Sequence, residues 1–65
     1  MTGYDGNSYQ IGDRVELHPG TDLWIMGARF GTVIGSSITL NDRVYVKLDK
    51  LNGKFAGAED TFKAI

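Results

Sequence analysis

The 65-residue chain contains no cysteine, a single histidine and a single proline. Without cysteine it has no disulfides, no thiolate chemistry and no Cys-based zinc site. Since one histidine is a poor basis for a metal site, we expect neither a metal nor a cofactor. One domain of this size must therefore be stabilised by an aliphatic and aromatic core, which 42% hydrophobic residues can supply.

Long apolar runs are also missing. No segment approaches the roughly 18 residues that a membrane span needs, and the N-terminus, MTGYDGNSYQI, lacks the regions of a signal peptide. We therefore expect a cytoplasmic protein without membrane insertion. Seven basic and eight acidic residues give a formal net charge of −1, whereas a dedicated duplex-DNA binder carries a clear positive excess. Nucleic-acid binding is thus an alternative rather than the first expectation.

The chain divides into two parts. Residues 1–11 are predicted to be a flexible N-terminal arm, because the segment is polar and rich in Gly, Asn and Ser apart from Tyr4 and Tyr9. The alternative is an arm that orders against the rest of the chain or a partner through these two tyrosines. Residues 12–65 are predicted to form one barrel domain.

Alternation of apolar and polar residues predicts an all-β domain. The predicted strands cover residues 13–17, 30–34 (with 38–40 as a continuation), 43–49, 54–56 and 63–65. Their inward side chains, with those of the turn before the last strand, are predicted to form the core: Val15, Leu17, Val33, Val44, Val46, Leu48, Phe55, Phe62 and Ile65.

The connections carry recognisable turn signals. Pro19-Gly20 ends the first strand, and Gly35 indicates a bulge or sharp bend in the second. Asn41-Asp42 and Asn52-Gly53 are predicted tight turns, the latter of type I′. Residues 58–62 are predicted to form one 3₁₀ turn before the last strand. The sequence thus predicts a small five-stranded SH3-like barrel.

The loop over residues 21–29 is unusually apolar, and Gly27 is expected to stop a helix from forming in it. Trp24 either closes one end of the barrel as part of the core or is exposed as an interface residue, since tryptophan and methionine suit binding surfaces. We predict protein binding through a set of four residues, namely Leu23, Trp24, Met26 and Phe30.

Catalytic machinery is not evident, and we predict no enzyme activity and no catalytic residues. His18 has Asp13, Glu16 and Asp22 near it in sequence, but the adjacent Pro19 crowds such a site and we expect a solvent-facing histidine. The other carboxylates are scattered, and no phosphate-binding or dinucleotide-binding motif occurs.

The outward face of the predicted sheet combines basic and aromatic side chains. A face of this kind can hold phosphates and stack bases. The alternative to an ordinary solvated face is therefore a nucleic-acid-binding surface, predicted to consist of Arg14, Arg43, Tyr45 and Lys47.

The pattern also resembles a known family, the E-type subunits of the photosystem I reaction centre. The resemblance is carried by Gly12, the strand to Leu17, Pro19, Trp24 and Gly31-Thr32-Val33, and by the stretch VYVKLDKLN at residues 44–52. It implies an SH3-like barrel that docks on a larger complex and helps to hold a soluble electron carrier, with Lys47 and Lys50 carried over. The loop between Trp24 and Gly31 is longer here than in that family.

These observations lead to a ranked expectation. The first expectation is a non-enzymatic accessory subunit that binds a protein partner through the loop around Trp24. Homo-oligomers that form through exposed barrel edges are compatible with this expectation. The alternatives are a nucleic-acid-binding barrel and an electron-transfer accessory protein of the photosystem I type.

Overall fold

The computed structural model describes residues 1–37, 43–51 and 53–65. In chain order the elements are strand β1 (Arg14–Leu17), helix α1 (Asp22–Ile25), strands β2 (Phe30–Ser37), β3 (Arg43–Leu48) and β4 (Lys54–Ala58), a 3₁₀ turn (Glu59–Thr61) and strand β5 (Phe62–Ala64). The all-β class, the five strands and the 3₁₀ turn before the last strand are confirmed. The predictions for residues 38–42 and for the turn at Asn52 lie outside the described residues.

The strands form one antiparallel sheet in the order β4-β3-β2-β1-β5. In the described part of the chain, no hydrogen-bonded pairing joins the two edge strands, so hydrogen bonds do not close the sheet. Inward side chains nevertheless bring its two ends together, since the Phe55 ring on β4 lies 6.0 Å from the Phe62 ring on β5, edge to face. The architecture is a curled five-stranded sheet compatible with a small barrel.

One face of the sheet carries the core. The buried hydrophobic residues are Tyr9, Val15, Leu17, Ala28, Val33, Val44, Val46, Leu48 and Phe62. Seven of the predicted core residues are in this group, because strand alternation determines which side chains point inward. Phe55 is partly buried, and Ile65 was wrongly placed in the core. Since Phe62 and Ala64 point inward, Ile65 points outward and is 71% exposed.

The N-terminal segment packs against the sheet. Tyr9 is 1% exposed and belongs to the core, and its hydroxyl donates to the Glu59 carbonyl at 2.6 Å. Tyr4 N donates to Phe62 O at 3.0 Å, so residues 1–9 lie along the β5 side. The division at residue 11 therefore does not coincide with the limit of the core, and the flexibility of the segment stays a prediction.

Gly35 lies at an irregularity in β2, as predicted. Val33 pairs with Val46, whereas the next pair is Gly35 with Tyr45, so that Ile34 is the extra residue of a β-bulge. The Tyr45 ring lies over Gly35, at 3.7 Å from the position that a Cβ would occupy there. A bulge increases the local twist of a strand, which helps a small sheet to curl.

The expectation that the loop over residues 21–29 is helix-free is corrected by one short turn of helix, α1. Thr21 begins it by accepting a hydrogen bond from Trp24 N at 3.3 Å. Gly27, at φ 96°, follows the turn and ends it. Gly27 thus limits the helix to one turn instead of preventing it. No helix in the described ranges is long and apolar enough to cross a membrane.

Candidate interaction surfaces

The loop between β1 and β2 is held at both of its ends. Leu17 N donates to Arg29 O at 2.8 Å, and Ala28 N donates to Leu23 O at 2.9 Å. Ala28 is fully buried, while Leu23 and Trp24 are partly buried and pack against the core. The loop is therefore fixed beneath its tip by backbone hydrogen bonds and apolar contacts.

Trp24 is neither a fully buried core residue nor a free surface residue. Its indole packs partly against the core, and the Arg29 guanidinium lies 4.7 Å from the centroid of the ring. A cation at this distance is attracted by the negative face of the indole ring. Trp24 consequently forms the base of the loop, with the guanidinium covering one of its faces.

The tip of the loop, defined as Ile25 and Met26, is exposed to solvent. Ile25 is 81% exposed and Met26 is 62% exposed, and no other large hydrophobic residue of the described chain is as exposed as Ile25. Sequence reasoning included Met26 in the predicted binding set and missed Ile25. The signal was available, since in a short turn that buries Leu23 and Trp24 the next residue points away from the core.

Phe30 lies apart from the tip, on the outward face of β2. It pairs with Glu16 in the register of β1 and β2 and is 40% exposed. The four predicted protein-binding residues therefore occupy three environments: Leu23 and Trp24 lie at the base of the loop, Met26 at its tip, and Phe30 on the sheet.

On the outward face, the strand register aligns basic side chains across the sheet. Arg14 pairs with Thr32, Thr32 pairs with Lys47, and Lys47 pairs with Lys54. We call Arg14, Lys47 and Lys54 the basic row. Tyr45, on the same face of β3, is 39% exposed. Lys54 was missed in the sequence because its strand is short and lacks clear alternation.

The first member of the basic row is neutralised locally. Arg14 makes a bidentate salt bridge with Asp49, through Nη1 at 2.7 Å and through Nη2, and Nη1 also donates to Thr32 Oγ1 at 3.0 Å. The hydrogen bond from Arg14 lowers the pKa of Asp49 below its ordinary value. Lys47 and Lys54 have no salt bridge to another described residue.

Arg43 lies at the far end of the same face. It pairs with Ser37 on one side and with Ala58 on the other, so that Tyr45 separates it from Lys47 along β3. The predicted nucleic-acid set therefore shares one face, but Arg14 is already paired and Arg43 lies outside the basic row.

A shallow cleft lies beside the basic row. Its volume is about 410 Å³, and it is open to solvent. Lys47 and Lys54 contribute cationic groups to it and Asp49 contributes a carboxylate. The complete lining is Thr32, Lys47, Leu48, Asp49, Gly53 and Lys54.

His18 makes a local hydrogen bond in the turn after β1. Its Nδ1 accepts a hydrogen bond from Gly20 N at 2.9 Å, and its ring lies 4.8 Å from the Tyr4 ring. Within residues 1–37, 43–51 and 53–65, no group of three or more His, Cys, Asp and Glu side chains is arranged to hold a metal ion.

Comparisons with known proteins identify no relative of this chain. No family model, no curated protein and no solved structure matches the chain. The resemblance to the photosystem I family is therefore unsupported at the level of family, and the fold described above is a small five-stranded antiparallel sheet.

Proposed function

We propose that this chain is a non-enzymatic protein-interaction module that docks on a partner protein through the tip of its β1–β2 loop. The proposal rests on two adjacent apolar residues that are exposed on a turn whose base is fixed, namely Ile25 (81% exposed) and Met26 (62% exposed). Complete burial of such a side chain in a partner contributes roughly 1.5–3 kcal/mol.

The fixed base of the loop favours binding. Thr21 begins the turn, the Ala28 N–H bonds back across it, and Arg29 covers Trp24. A binding element that is ordered in the free protein loses less conformational entropy when a partner binds it. The partner that suits this tip has a small apolar pocket of about two side chains.

The test uses the double variant Ile25→Ser/Met26→Ser and the matched control Ile11→Ser, which removes another exposed isoleucine, one that is 60% exposed outside the loop. Partners captured by the wild-type chain are identified and titrated, purified, against all three proteins by calorimetry. We expect the double variant to lose at least roughly tenfold in affinity and the control to bind like the wild type. Equal binding by all three proteins would refute docking through the tip.

Nucleic-acid binding is the second candidate, and the alignment of Lys47 and Lys54 beside the exposed Tyr45 favours it. The test is an amide NMR titration with short single- and double-stranded oligonucleotides at low and physiological salt. Shifts at Arg43, Tyr45, Lys47 and Lys54 that fade as salt is added would support this function, since phosphate contacts are salt-dependent. A flat titration would remove it.

An accessory role in electron transfer, as in the photosystem I family, rests on the resemblance alone. The positions carried over, Lys47 and Lys50, are both exposed. An acidic ferredoxin is the appropriate probe. Binding that is weakened by Lys47→Glu and Lys50→Glu would support this role, and absence of binding at low salt would end it.

A further inference from the structure

Strand β4 is an edge strand whose outer side is open. Leu48 N donates to Gly53 O at 3.0 Å, so Leu48 and Gly53 form a hydrogen-bonded pair. Hydrogen-bonded and non-hydrogen-bonded pairs alternate along an antiparallel ladder, so that every second residue of β4 after Gly53 bonds to β3. Phe55 and Gly57 therefore bond to β3. In the described ranges, no backbone hydrogen bond from another strand reaches the outer side of β4. The outward-pointing peptide groups are those of Lys54 and Ala56 and the N–H of Ala58, whose carbonyl belongs to the 3₁₀ turn that it caps.

The opposite edge of the sheet is covered. Tyr4 N donates to Phe62 O at 3.0 Å, and a Cβ at Gly3 would lie 2.7 Å from Phe62 O and 2.9 Å from Lys63 Cα. The N-terminal segment is thus packed directly on β5. A partner strand consequently finds an open hydrogen-bonding edge at β4 and not at this part of β5.

Strand β4 also lacks most of the usual protection of an edge. Proteins block edge strands with proline, bulges or charged side chains, lysine above all. The sequence KFAGA has no proline, its register with β3 is regular, and Lys54 is its one charged residue. The small side chains at residues 56–58 leave the backbone accessible to another strand.

The charges at the two ends of β4 favour a second copy of this chain as the occupant. Antiparallel pairing about Ala56 puts Lys54 of one copy opposite Ala58 of the other, beside the acidic residues Glu59 and Asp60. None of these three charged side chains has a salt bridge to another described residue, although Glu59 Oε2 accepts a hydrogen bond from Thr2 N at 3.4 Å and Arg43 pairs with Ala58 on the β3 side. Because the two copies are related by twofold symmetry, the same contact between Lys54 and the acidic residues forms at both ends of the paired strands.

The inner face of β4 is compatible with the same register. The Phe55 ring lies over Gly57, where a Cβ would be 2.8 Å from the ring. In the paired arrangement, Phe55 of one copy lies opposite Gly57 of the other. Because the Phe55 ring of the same copy already covers Gly57, the Phe55 rings of the two copies would meet on this face.

We propose that two copies of the chain associate through β4, antiparallel and centred on Ala56, to form one sheet that runs through both molecules. Lys54 of each copy lies against the acidic 3₁₀ turn of the other. Such an interface is independent of the loop tip, so that a dimer would present two loop tips for docking.

The first test is sedimentation equilibrium of Ala56→Pro, with Ala56→Ser as matched control. The Ala56 N–H points away from β3, so proline removes the intermolecular donor and spares the sheet. We expect a concentration-dependent dimer for the wild type and for Ala56→Ser. Because both copies lose a hydrogen bond, Ala56→Pro should weaken association by roughly tenfold or more.

A charge-reversal pair provides a second test that does not alter the backbone. Lys54→Glu places like charges together at both ends of the interface and should weaken the dimer, while Lys54→Glu/Glu59→Lys should restore it. Amide hydrogen exchange locates the contact, because Ala56 and Ala58 should become protected as concentration rises. A wild-type chain that stays monomeric at millimolar concentration, or a dimer that is insensitive to both sets of variants, would overturn the proposal.

Discussion

The N-terminal segment and the β1–β2 loop make an instructive comparison. The first is polar and rich in glycine, yet its Tyr9 is among the most deeply buried side chains of the protein, at 1% exposure. The second contains four consecutive large apolar residues, yet none of them is fully buried and Ile25 is 81% exposed. The more hydrophobic segment therefore does not bury its large side chains more completely.

The difference has a physical cause in geometry and hydrogen bonding. Tyr9 can be buried because its hydroxyl has a partner, the Glu59 carbonyl at 2.6 Å, and a buried polar group without one is costly. In the loop, one turn of helix points Leu23 and Trp24 toward the sheet, so that Ile25 and Met26 point away from it. Composition alone does not distinguish these two outcomes.

The largest effect is expected when Tyr9 is truncated. Tyr9→Ala removes a fully buried ring that lies 6.5 Å from the Phe62 ring, and should lower the free energy of unfolding by about 3–5 kcal/mol. Urea denaturation measures this change. Tyr4→Ala is the control, since Tyr4 is partly exposed and should cost much less. A small effect of Tyr9→Ala would mean that the segment detaches readily from the sheet.

Trp24→Ala should have an intermediate effect. The indole is partly buried and Arg29 covers one of its faces, so we expect a loss of about 2 kcal/mol in the free energy of unfolding. The variant Arg29→Ala measures separately how much the contact between the Arg29 guanidinium and the indole contributes to the free energy of unfolding. If Trp24→Ala destabilised the fold as much as Tyr9→Ala, the loop would be part of the core and the contrast would disappear.

Tyr9→Phe should lower the free energy of unfolding by about 1 kcal/mol near neutral pH, because one hydrogen bond is lost. Urea denaturation measures this change.

We also expect the stability of the wild type, but not of Tyr9→Phe, to depend on pH through the Tyr9 hydroxyl. Burial, with the nearby charges of Glu59 and Asp60, raises the pKa of Tyr9 from 10.0 to about 12. Above pH 10.0 the unfolded chain ionises first, so wild-type stability falls as the pH rises from 10.0 to about 12. Tyr9→Phe lacks this contribution, so the urea midpoints of the two proteins should converge and then cross as the pH rises through that range.

The smallest effect on stability is expected at the loop tip. Ile25→Ser/Met26→Ser changes side chains that are mostly exposed, and the free energy of unfolding should stay within about 0.5 kcal/mol of the wild-type value. Thermal melts of both proteins provide the measurement. A loss as large as that for Trp24→Ala would show that the tip packs against the protein and is not available to a partner.

Strand alternation made most of the fold predictable. The inward positions of β1 and β3 and the bulge at Gly35 follow from period-two patterns and from turn chemistry. Ile65 was wrong because the alternation continues from Phe62 and puts it outside. Tyr9 and Ala28 were missed because neither belongs to a periodic pattern, and long-range packing alone accounts for their burial.

The candidate surfaces were predictable in part. The sequence indicated the loop and the outward face, but the pairing of Arg14 with Asp49 depends on residues 35 positions apart. The alignment of Lys47 with Lys54 depends on strand register. Ile25 could have been found by treating residues 22–25 as one helical turn and following the direction of each side chain.

Because Ile34 is an extra residue, the length of β2 can change without a change in the faces to which its other side chains point. Because Val33 already pairs with Val46 and Gly35 with Tyr45, removal of Ile34 leaves an uninterrupted ladder in which every other side chain keeps its face. Removal of Thr32 or Val33 would instead invert part of the strand. This one position therefore lets chain length and curvature change while the pattern of inward and outward side chains is inherited intact.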